Sequence, residues 1–366
     1  MKKGPFRAKA VTLEDIGRAL NLSRSTVSRA LNMSRVVKEE TRKRVLETAA
    51  ALGFRPNRAA RSLVMNRERH LAVIVFSEPA YFWRELEAGV QRAANELRDY
   101  RIHVSYHATD IARPGAQIAL LEELARQGID GIAISPNDPQ VVAPAIDQVI
   151  ARGIPVLTVS SDLPGSRRLC YVGCDYYQAG RIAATLMCRL VGGRGRLVVL
   201  SFSDVVLAIA QRLAGFRESC REFPGIEVRE PPGLSRTGEE TFDFVRELLR
   251  RDPGIDGIFV SFGVLEQAGR AIEEARREDG GRRPILVGYD LSSGIARLIR
   301  EDVVDATICQ EPFNQGYYPV KILSDYLLEN RVPPLHVITT KLEIVMKENL
   351  PYYENETSTH AMLFDI

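Results

Sequence analysis

Near the N-terminus, apolar residues recur every three or four positions, which is the spacing of one buried helical face. The residues concerned are Leu13, Ile16 and Leu20, followed by Val27, Ala30 and Leu31. Thr12 with Asp15 three positions later predicts the cap of a first helix, and Ser23 predicts the cap of a second helix over residues 26–31. Asn21 stands between them, and asparagine tolerates the left-handed backbone that a tight corner requires. The pattern predicts a helix-turn-helix whose second helix can lie in a DNA major groove.

The same helical spacing continues for one more segment. A third helix is predicted over residues 39–52, and it closes the small bundle through Val45, Leu46, Ala49 and Leu52. Residues 58–63 then form a short helical pattern that offers too little apolar area to fold alone. We expect a basic arm at residues 1–10, a headpiece at 11–56 and a linker at 64–70.

From residue 71 onward, short β-branched runs alternate with amphipathic helical stretches, which is typical of βαβ units and a parallel sheet. Strands are predicted at residues 71–76, 102–107, 131–135, 156–159, 196–201, 226–229, 257–260, 285–288 and 306–308. Helices between them include residues 85–98, 116–126, 177–190, 207–220, 242–250 and 314–328. So many strands would overfill one sheet, so two lobes are predicted, with a shared cleft at the C-terminal ends of their strands. The fold class is α/β: a small all-α headpiece followed by two doubly wound parallel-sheet lobes.

Charge is distributed unevenly along the 366 residues. Residues 1–67 hold 16 Lys and Arg against five Asp and Glu, a net of +11, whereas the whole chain has a net charge of +2. The remainder therefore carries a net of −9. A basic head on an acidic body indicates a polyanion-binding module joined to a domain for a neutral ligand.

Cysteine, histidine and glycine positions argue against several kinds of site. The five cysteines form no C-x-x-C pair and histidine is scarce, so we expect buried free thiols, no metal site and no cofactor. No nucleophile–base set supports an enzyme. The glycines at 192, 193 and 195 follow a predicted helix and precede a strand, which is the reverse of the phosphate-binding order, so they indicate a helix end. The longest apolar runs are too short to span a bilayer, and no apolar segment follows the N-terminal lysines. We therefore expect a cytoplasmic protein without a membrane partner.

Residues 12–32, 37–46 and 53–63 closely resemble the DNA-binding headpiece of the lactose repressor (LacI-type) family, without a gap over residues 11–64. Asn21 replaces the glycine that is usual at the turn, and Lys38 replaces the hydroxyl residue that usually caps the third helix. Neither departure touches the DNA-reading face. The resemblance implies a transcription regulator, acting as a repressor, that binds double-stranded DNA at a palindromic operator as a homodimer. It also implies that residues 57–63 are a hinge helix that orders only on DNA.

The resemblance further implies which side chains contact DNA: Arg24, Ser25, Thr26, Ser28, Arg29, Asn32, Lys38, Asn57, Arg58, Ala60 and Leu63. Arg24 and Ser25 occupy the two positions that set operator preference in the family, and Arg29 can reach a guanine edge with two hydrogen bonds. Lys38, Arg42 and Arg58 are expected to bind phosphates. Leu63 matches a leucine that family members wedge into the minor groove. The alternatives are a merely solvated basic face and, for Leu63, packing against the body.

Residues 71–346 resemble the periplasmic sugar-binding-protein fold that forms the effector and dimerisation domain of the same family. The likeness rests on residues 175–181, 212–216, 287–290 and 306–316. It implies three crossings between the lobes, near Gly192, Ile308 and Leu328. Lobe 1 would then span residues 71–192 and 309–328, and lobe 2 would span residues 193–308 and 329–346. The C-terminal tail, residues 347–366, is polar and lacks heptads, so no coiled coil is expected.

A small polar effector, a sugar or polyol, is expected in the cleft at Phe82, Trp83, Ser160, Asp162, Asp175, Arg212, Phe262, Asp290 and Gln310. By the resemblance, Arg212 grips sugar hydroxyls and Asp290 accepts hydrogen bonds from them, and such fixed donors and acceptors suit a neutral polyol. Tyr81 and the two aromatic residues after it follow the first strand and could stack on a pyranose. The alternatives are a buried cluster for these aromatic residues, and a structural ion pair between Arg212 and Asp290.

The cleft departs from simple sugar binders at two places. Ser160 and Ser161 stand where an acidic and a basic residue often act, and Ser261, Phe262 and Gly263 replace a usual asparagine–aspartate pair. The likeness therefore supports a small polar effector without naming a sugar. The alternative function is a stand-alone sugar-binding protein of periplasmic type, and the basic head argues against it.

Overall fold

The computed structural model describes residues 11–31, 37–52, 54, 67–201, 206–231, 238–279 and 283–354. Contacts divide the chain into two units, Met1–Asn66 and Arg67–Ile366, so the boundary falls inside the predicted linker. The first strand begins at Arg69, two residues before its predicted start. The predicted arm (1–10), the hinge helix (57–63) and residues 355–366 of the tail lie outside the described residues.

The first unit contains helices α1 (Leu13–Leu20), α2 (Arg24–Leu31) and α3 (Glu39–Ala51). Thr12 and Asp15 form a capping box on α1, and Asn21 ends that helix with a left-handed φ of 54°. Both features confirm the prediction. They fix the angle at which the chain enters and leaves α1, and hence where α2 begins.

The core of this unit forms around Ile16, Val27 and Val45, all fully buried. Two of the four apolar residues predicted to close the bundle from α3 do not do so, since Leu46 is 50% exposed and Leu52 is 42% exposed. Leu46 follows Val45 directly, so it lies roughly 100° around the helix from the buried face. Phe54 packs against the cluster beyond the end of α3.

The second unit contains two α/β lobes. The strands of lobe 1 are β1 (Arg69–Phe76), β2 (Ile102–Thr109), β3 (Gly131–Ile134), β4 (Val156–Val159), β5 (Tyr171–Gly173) and β11 (Val337–Thr339). They pair in the order β11–β5–β4–β3–β1–β2, and every pair is parallel. The helices of this lobe are α4 (Ala80–Leu97), α5 (Pro114–Arg126), α6 (Pro139–Ala151) and α12 (Pro312–Glu329).

Lobe 2 repeats this plan. Its strands are β6 (Arg194–Leu200), β7 (Gly225–Arg229), β8 (Gly257–Val260), β9 (Ile285–Tyr289), β10 (Ala306–Cys309) and β12 (Glu343–Val345). They pair in the order β12–β10–β9–β8–β6–β7, with only the β10–β12 pair antiparallel. Its helices are α7 (Tyr176–Leu190), α8 (Leu207–Cys220), α9 (Gly238–Arg251), α10 (Leu265–Asp279), α11 (Ser293–Arg300) and α13 (Leu350–Glu354).

The predicted crossings between the lobes are correct at one place and wrong at two. The crossing after β10, near Ile308, is where it was expected. The first crossing precedes α7 instead of following it, because the buried face of α7, including Ala183 and Met187, belongs to the core of lobe 2. The third follows β11 rather than α12, because β11 joins the edge of the lobe 1 sheet.

The beginning of the predicted tail is also part of lobe 2. Leu350, the first residue of α13, is 1% exposed and lies in the lobe 2 core, and Glu354 pairs with Arg300. The sequence predicted no strand at β5, β11 or β12. Each has only three residues, which is too short for an alternating pattern to be distinguished from a loop.

Two glycines bring α7 and α8 into close contact. A Cβ atom on Gly180 would collide with the backbone carbonyl of Arg212, and one on Gly215 would collide with that of Tyr177. Helix backbones approach this closely only where side chains are absent. The packing fixes the position of the α8 turn that carries Arg212 beside the first turn of α7.

Candidate DNA-binding and effector-binding sites

The outer face of α2 is the candidate DNA-binding surface. The hydroxyl of Ser23 accepts a hydrogen bond from the Thr26 backbone N–H at 3.1 Å, which caps the helix. Val27 and Ala30 are buried, so the opposite face is turned outward. Arg24, Ser25 and Arg29 are exposed, whereas Thr26 and Ser28 are half-buried.

Several predicted DNA contacts have a local structural partner. The Thr26 hydroxyl shares a hydrogen bond with Ser23 at 2.7 Å, and the Arg24 guanidinium lies 3.9 Å from the Glu14 carboxylate. Lys38 is exposed at the start of α3, without a side-chain cap. Arg42 is mostly buried and pairs with Glu39 at 3.0 Å. The remaining predicted contacts, Asn32, Asn57, Arg58, Ala60 and Leu63, lie outside the described residues.

A cavity of about 430 Å³ lies between the lobes at the ends of β1 and β9. Its size falls in the ordinary range for small-molecule sites. One part of the lining, here called the polar cluster, consists of Ser160, Tyr176, Arg212, Asp290 and Gln310. Another part, here called the apolar wall, consists of Phe76, Pro79, Phe82, Trp83, Ile111, Val206, Ile209, Phe262 and Val264.

Arg212 and Asp290 are joined through an amide rather than by a direct ion pair. Arg212 donates from Nη1 to the Ser261 carbonyl at 2.9 Å and from Nη2 to Gln310 Oε1 at 2.6 Å. Gln310 Nε2 in turn donates to Asp290 Oδ1 at 2.6 Å. The structure therefore has a relay of three side chains where the sequence also allowed a direct ion pair between Arg212 and Asp290. Arg212 lies in the second turn of α8, inside the helix that was predicted over residues 207–220.

Aromatic rings and burial set the electrostatics of the relay. The Arg212 guanidinium lies 3.8 Å from the centre of the Tyr289 ring and 4.7 Å from that of Tyr176, so the cation contacts two π faces. Burial raises the pKa of the Asp290 carboxyl to about 6, against the opposing effects of Arg212 and the Gln310 hydrogen bond. The relay thus contains one cation and one carboxyl group whose pKa is raised towards neutral pH.

Two of the three aromatic residues predicted after the first strand are buried and line the cavity. Phe82 and Trp83 lie in the first turn of α4, each 5% exposed. Their ring centres are 4.8 Å apart, and Trp83 Nε1 donates to the Glu78 carbonyl at 2.9 Å. Tyr81 does not line this cavity. Its hydroxyl is buried without a hydrogen-bond partner among the described residues, and burial raises its pKa.

Two predicted effector contacts do not line the cavity. Asp162 accepts two hydrogen bonds from Arg168 at 2.6 Å and one from the Leu163 backbone N–H, so it organises its own loop. Asp175 is exposed and caps α7 by accepting from the Gln178 N–H. Ser160 does line the cavity, where its hydroxyl lies 3.0 Å from that of Tyr176. Phe262 lines it as predicted.

Sequence reasoning missed several lining residues, namely Phe76, Ile111, Tyr176, Val206, Val264 and Gln267. Phe76 ends β1 and Val264 follows β8, so the rule that ligands bind beyond strand ends could have found both. Tyr176 could not be found that way, because it lies in α7, which was predicted for the other lobe.

No helix among the described residues is long and apolar enough to cross a membrane, and no group of three or more potential metal ligands occurs in that part of the chain. The five cysteines, all within it, are free.

The matches to known proteins cover both units. Residues 12–57 match the family model "Bacterial regulatory proteins, lacI family", and residues 71–331 match that of the periplasmic binding protein domain. Catabolite control protein A of Priestia megaterium is 26% identical over 330 residues, covering 88% of this chain and 94% of the relative. The HTH-type transcriptional regulator CelR of Thermobifida fusca is 30% identical over 305 residues, covering 78% and 84%.

A solved structure resembles the larger part of the chain. An ABC transporter solute-binding protein from Burkholderia graminis C4D1M, in complex with D-arabinose, is 25% identical with a TM-score of 0.70. The match covers 78% of this chain and 97% of the binding protein. A transport protein thus shares the two-lobed fold. The match of residues 12–57 to the lacI family model, and the similarity to the regulator CelR over 78% of this chain, distinguish this chain from a transport protein. The chain belongs to the lacI family of bacterial regulatory proteins, with a helix-turn-helix DNA-binding region ahead of a two-lobed periplasmic-binding-protein-like domain.

Proposed function

We propose that this regulator binds a palindromic operator as a homodimer, and that a sugar or polyol in the inter-lobe cleft changes its affinity for that operator. The observation that carries the proposal is the position of Gln310. Its side chain joins Arg212 to Asp290 in the cleft, and its backbone lies where the chain crosses from β10 to α12. A ligand that contacts this relay therefore acts at a connection between the lobes.

Gln310 also contacts the other two crossings. Its Oε1 accepts a hydrogen bond from Cys174 Sγ at 3.2 Å, next to the crossing between β5 and α7. Its carbonyl accepts one from the Thr340 hydroxyl at 2.9 Å, next to the crossing between β11 and β12. A ligand shifts an equilibrium only through its different affinity for two arrangements. Ligand contacts at Gln310 would make the ligand affinity differ between two arrangements of the lobes, because this residue touches all three segments that connect the lobes.

On the DNA side, the proposal gives α2 the role of recognition helix. Arg24 and Ser25 would set operator preference and Arg29 would read a guanine edge, since all three are exposed on the face opposite the buried Val27. One helix-turn-helix reads only a half-site, so a palindrome calls for two protomers. Lys38 would bind phosphate, and Asn32, Asn57, Arg58, Ala60 and Leu63 belong to the same proposed surface. Since the operator is genomic DNA, the protein would act in the cytoplasm.

A stand-alone sugar-binding protein is the second candidate, because the cleft and the two lobes would serve either role. The match of residues 12–57 to the lacI family model and the net charge of +11 on residues 1–67 favour the regulator.

The test begins with purified protein and sheared genomic DNA from its source organism. Bound fragments are sequenced, and the affinity for the recovered site is measured with and without each member of a panel of sugars and polyols. We expect an inverted repeat, two protomers per site by sedimentation, and a change in affinity of at least about tenfold with one compound. Failure to enrich any sequence would contradict the operator proposal. An enriched site whose affinity responds to none of the compounds would contradict the effector proposal.

A further inference from the structure

The lining of the cleft cavity is segregated by polarity. Most of its polar side chains form one connected group, because Gln310 joins Arg212 to Asp290 and the Arg212 guanidinium lies against the Tyr176 ring. Tyr176 in turn contacts Ser160. Three aromatic rings form a second group. The centre of the Trp83 ring lies 5.2 Å from that of Phe76 and 4.8 Å from that of Phe82. The lining therefore contains a connected polar cluster and a group of packed aromatic rings.

The polar cluster and Gln267 supply the hydrogen-bonding side chains of the described lining that a ligand can use. Each outer nitrogen of Arg212 donates one N–H to the protein and has a second N–H, and its buried Nε has no partner among the described residues. Asp290 uses Oδ1 for Gln310, and Gln267 in the same lining has a buried Oε1 without a partner among the described residues. A free hexose with hydroxyls around its whole ring would bring several of them against the apolar wall. Each hydroxyl buried there without a partner would weaken binding.

The charge of the cavity favours a neutral ligand. Arg212 is the only cation among the described lining residues, and Asp290 lies in the same relay. Glu78 adds a carboxylate at the rim. An anionic ligand would meet an arginine already hydrogen-bonded on both forks and two carboxylates, and it would lose its hydration at the apolar wall.

We propose that the effector is a neutral glycoside with an aromatic aglycone, whose sugar hydroxyls bind the polar cluster and whose aglycone packs against the apolar wall. This inference rests on the proposed function and narrows its ligand class. Rings from both lobes, Trp83 of lobe 1 and Phe262 of lobe 2, face the same cavity. An aryl group between them would contact both lobes, so its binding would depend on how the lobes are arranged.

The experiment compares matched ligands on the full-length protein. The methyl and phenyl glycosides of D-glucose, D-galactose, D-xylose and L-arabinose, in both anomers, are titrated by calorimetry, together with the free sugars and phenol. We expect at least one phenyl glycoside to bind at least about tenfold more tightly than its methyl partner, because the added ring buries apolar area in the wall. Phenol alone should bind far more weakly than that glycoside, since it lacks groups for the polar cluster.

Two variants locate the aglycone. Ile111→Ala shortens a side chain of the apolar wall and should reduce the phenyl-over-methyl preference at least threefold. Ile118→Ala is the matched control, because it is an equally half-buried isoleucine of lobe 1 that packs against a different core cluster and does not line the cavity. The preference should be unchanged in this variant.

Three outcomes would overturn the inference. They are a free sugar or methyl glycoside that binds as tightly as its phenyl partner, phenol that binds as tightly as the glycoside, and no binding by any phenyl glycoside. Operator binding is measured on the same preparation. If the operator is bound and another compound of the broader panel changes its affinity, the proposed function stands and only the aryl-glycoside class is wrong.

Discussion

Replacing Asp290 by asparagine tests the electrostatics of the cleft through protein stability. Burial raises the pKa of this carboxyl from an ordinary 3.8 to about 6. Because the folded-state pKa lies above the unfolded one, the folded protein binds the additional proton between pH about 4 and 6. Below pH about 4 the carboxyl is protonated in both states, so its burial costs no stability. The free energy of unfolding then falls as the pH rises from about 4 through 6. A difference of about two pKa units corresponds to about 3 kcal/mol of lost stability at pH 7.5, as an upper bound.

Asparagine keeps an oxygen that can accept from Gln310 Nε2, but it carries no charge to bury. Urea unfolding at several pH values between 4.5 and 7.5 measures the effect. We expect Asp290→Asn to be more stable than the parent by about 2–3 kcal/mol at pH 7.5, with the difference shrinking steadily towards pH 4.5.

Asp175→Asn is the control for this measurement. Asp175 is exposed and caps α7, and asparagine caps a helix about as well as aspartate. Because asparagine replaces the cap at an exposed position, Asp175→Asn should stay within about 0.5 kcal/mol of the parent in stability. If Asp290→Asn were less stable than the parent at pH 7.5, or equally shifted at every pH, the carboxylate would not carry a burial cost and the reasoning would be wrong.

Three further predictions follow from the two sites. Arg29→Ala should cost roughly 1–3 kcal/mol of operator binding and relax preference at one base pair per half-site; a uniform loss over all sequences in a binding-selection assay would contradict base reading. Arg212→Ala should weaken the effector response of operator binding at least about tenfold, because it removes charge-assisted hydrogen bonds each worth about 1.5–3 kcal/mol. Its affinity without effector should stay within a few-fold of the parent, and loss of that affinity would instead indicate a structural role. Gly180→Ala should destabilise the second unit by roughly 1–3 kcal/mol in thermal unfolding, since the added methyl meets the Arg212 carbonyl, and an unchanged melting temperature would contradict the close approach of α7 and α8.

The parts of the fold that the sequence predicted best are those governed by neighbours along the chain. The Thr12–Asp15 capping box and the left-handed Asn21 depend on residues within one turn, and both were found in the structure. The α8 and β4 boundaries also agree with the prediction to the residue. Lobe membership depends instead on which sheet an apolar face meets, and the face of α7 would suit either sheet. The sequence contains no local signal that decides between them.

The effector cleft shows the same division between local and distant determinants. Phe262 and Asp290 were found because each follows a strand, and strand ends meet at one edge of a parallel sheet. Asp162 also follows a strand, but Arg168, six residues later, binds it and removes it from the cavity. Whether a polar residue after a strand faces a ligand or its own loop depends on such a partner. The sequence shows that Arg168 is near, but it does not show where its side chain points.

Gln310 illustrates what spacing along a chain leaves undetermined. The sequence identified it as one polar contact among several, at a position just after β10. In the structure it accepts from Arg212 and Cys174, donates to Asp290, and accepts through its carbonyl from Thr340. These partners come from segments up to 136 residues away, and they include both halves of the charged relay. An amide can accept from a cation and donate to a carboxylate with one side chain, whereas a glutamate here would repel Asp290 and a lysine would repel Arg212. The residue type at this crossing follows from the two charges that it separates.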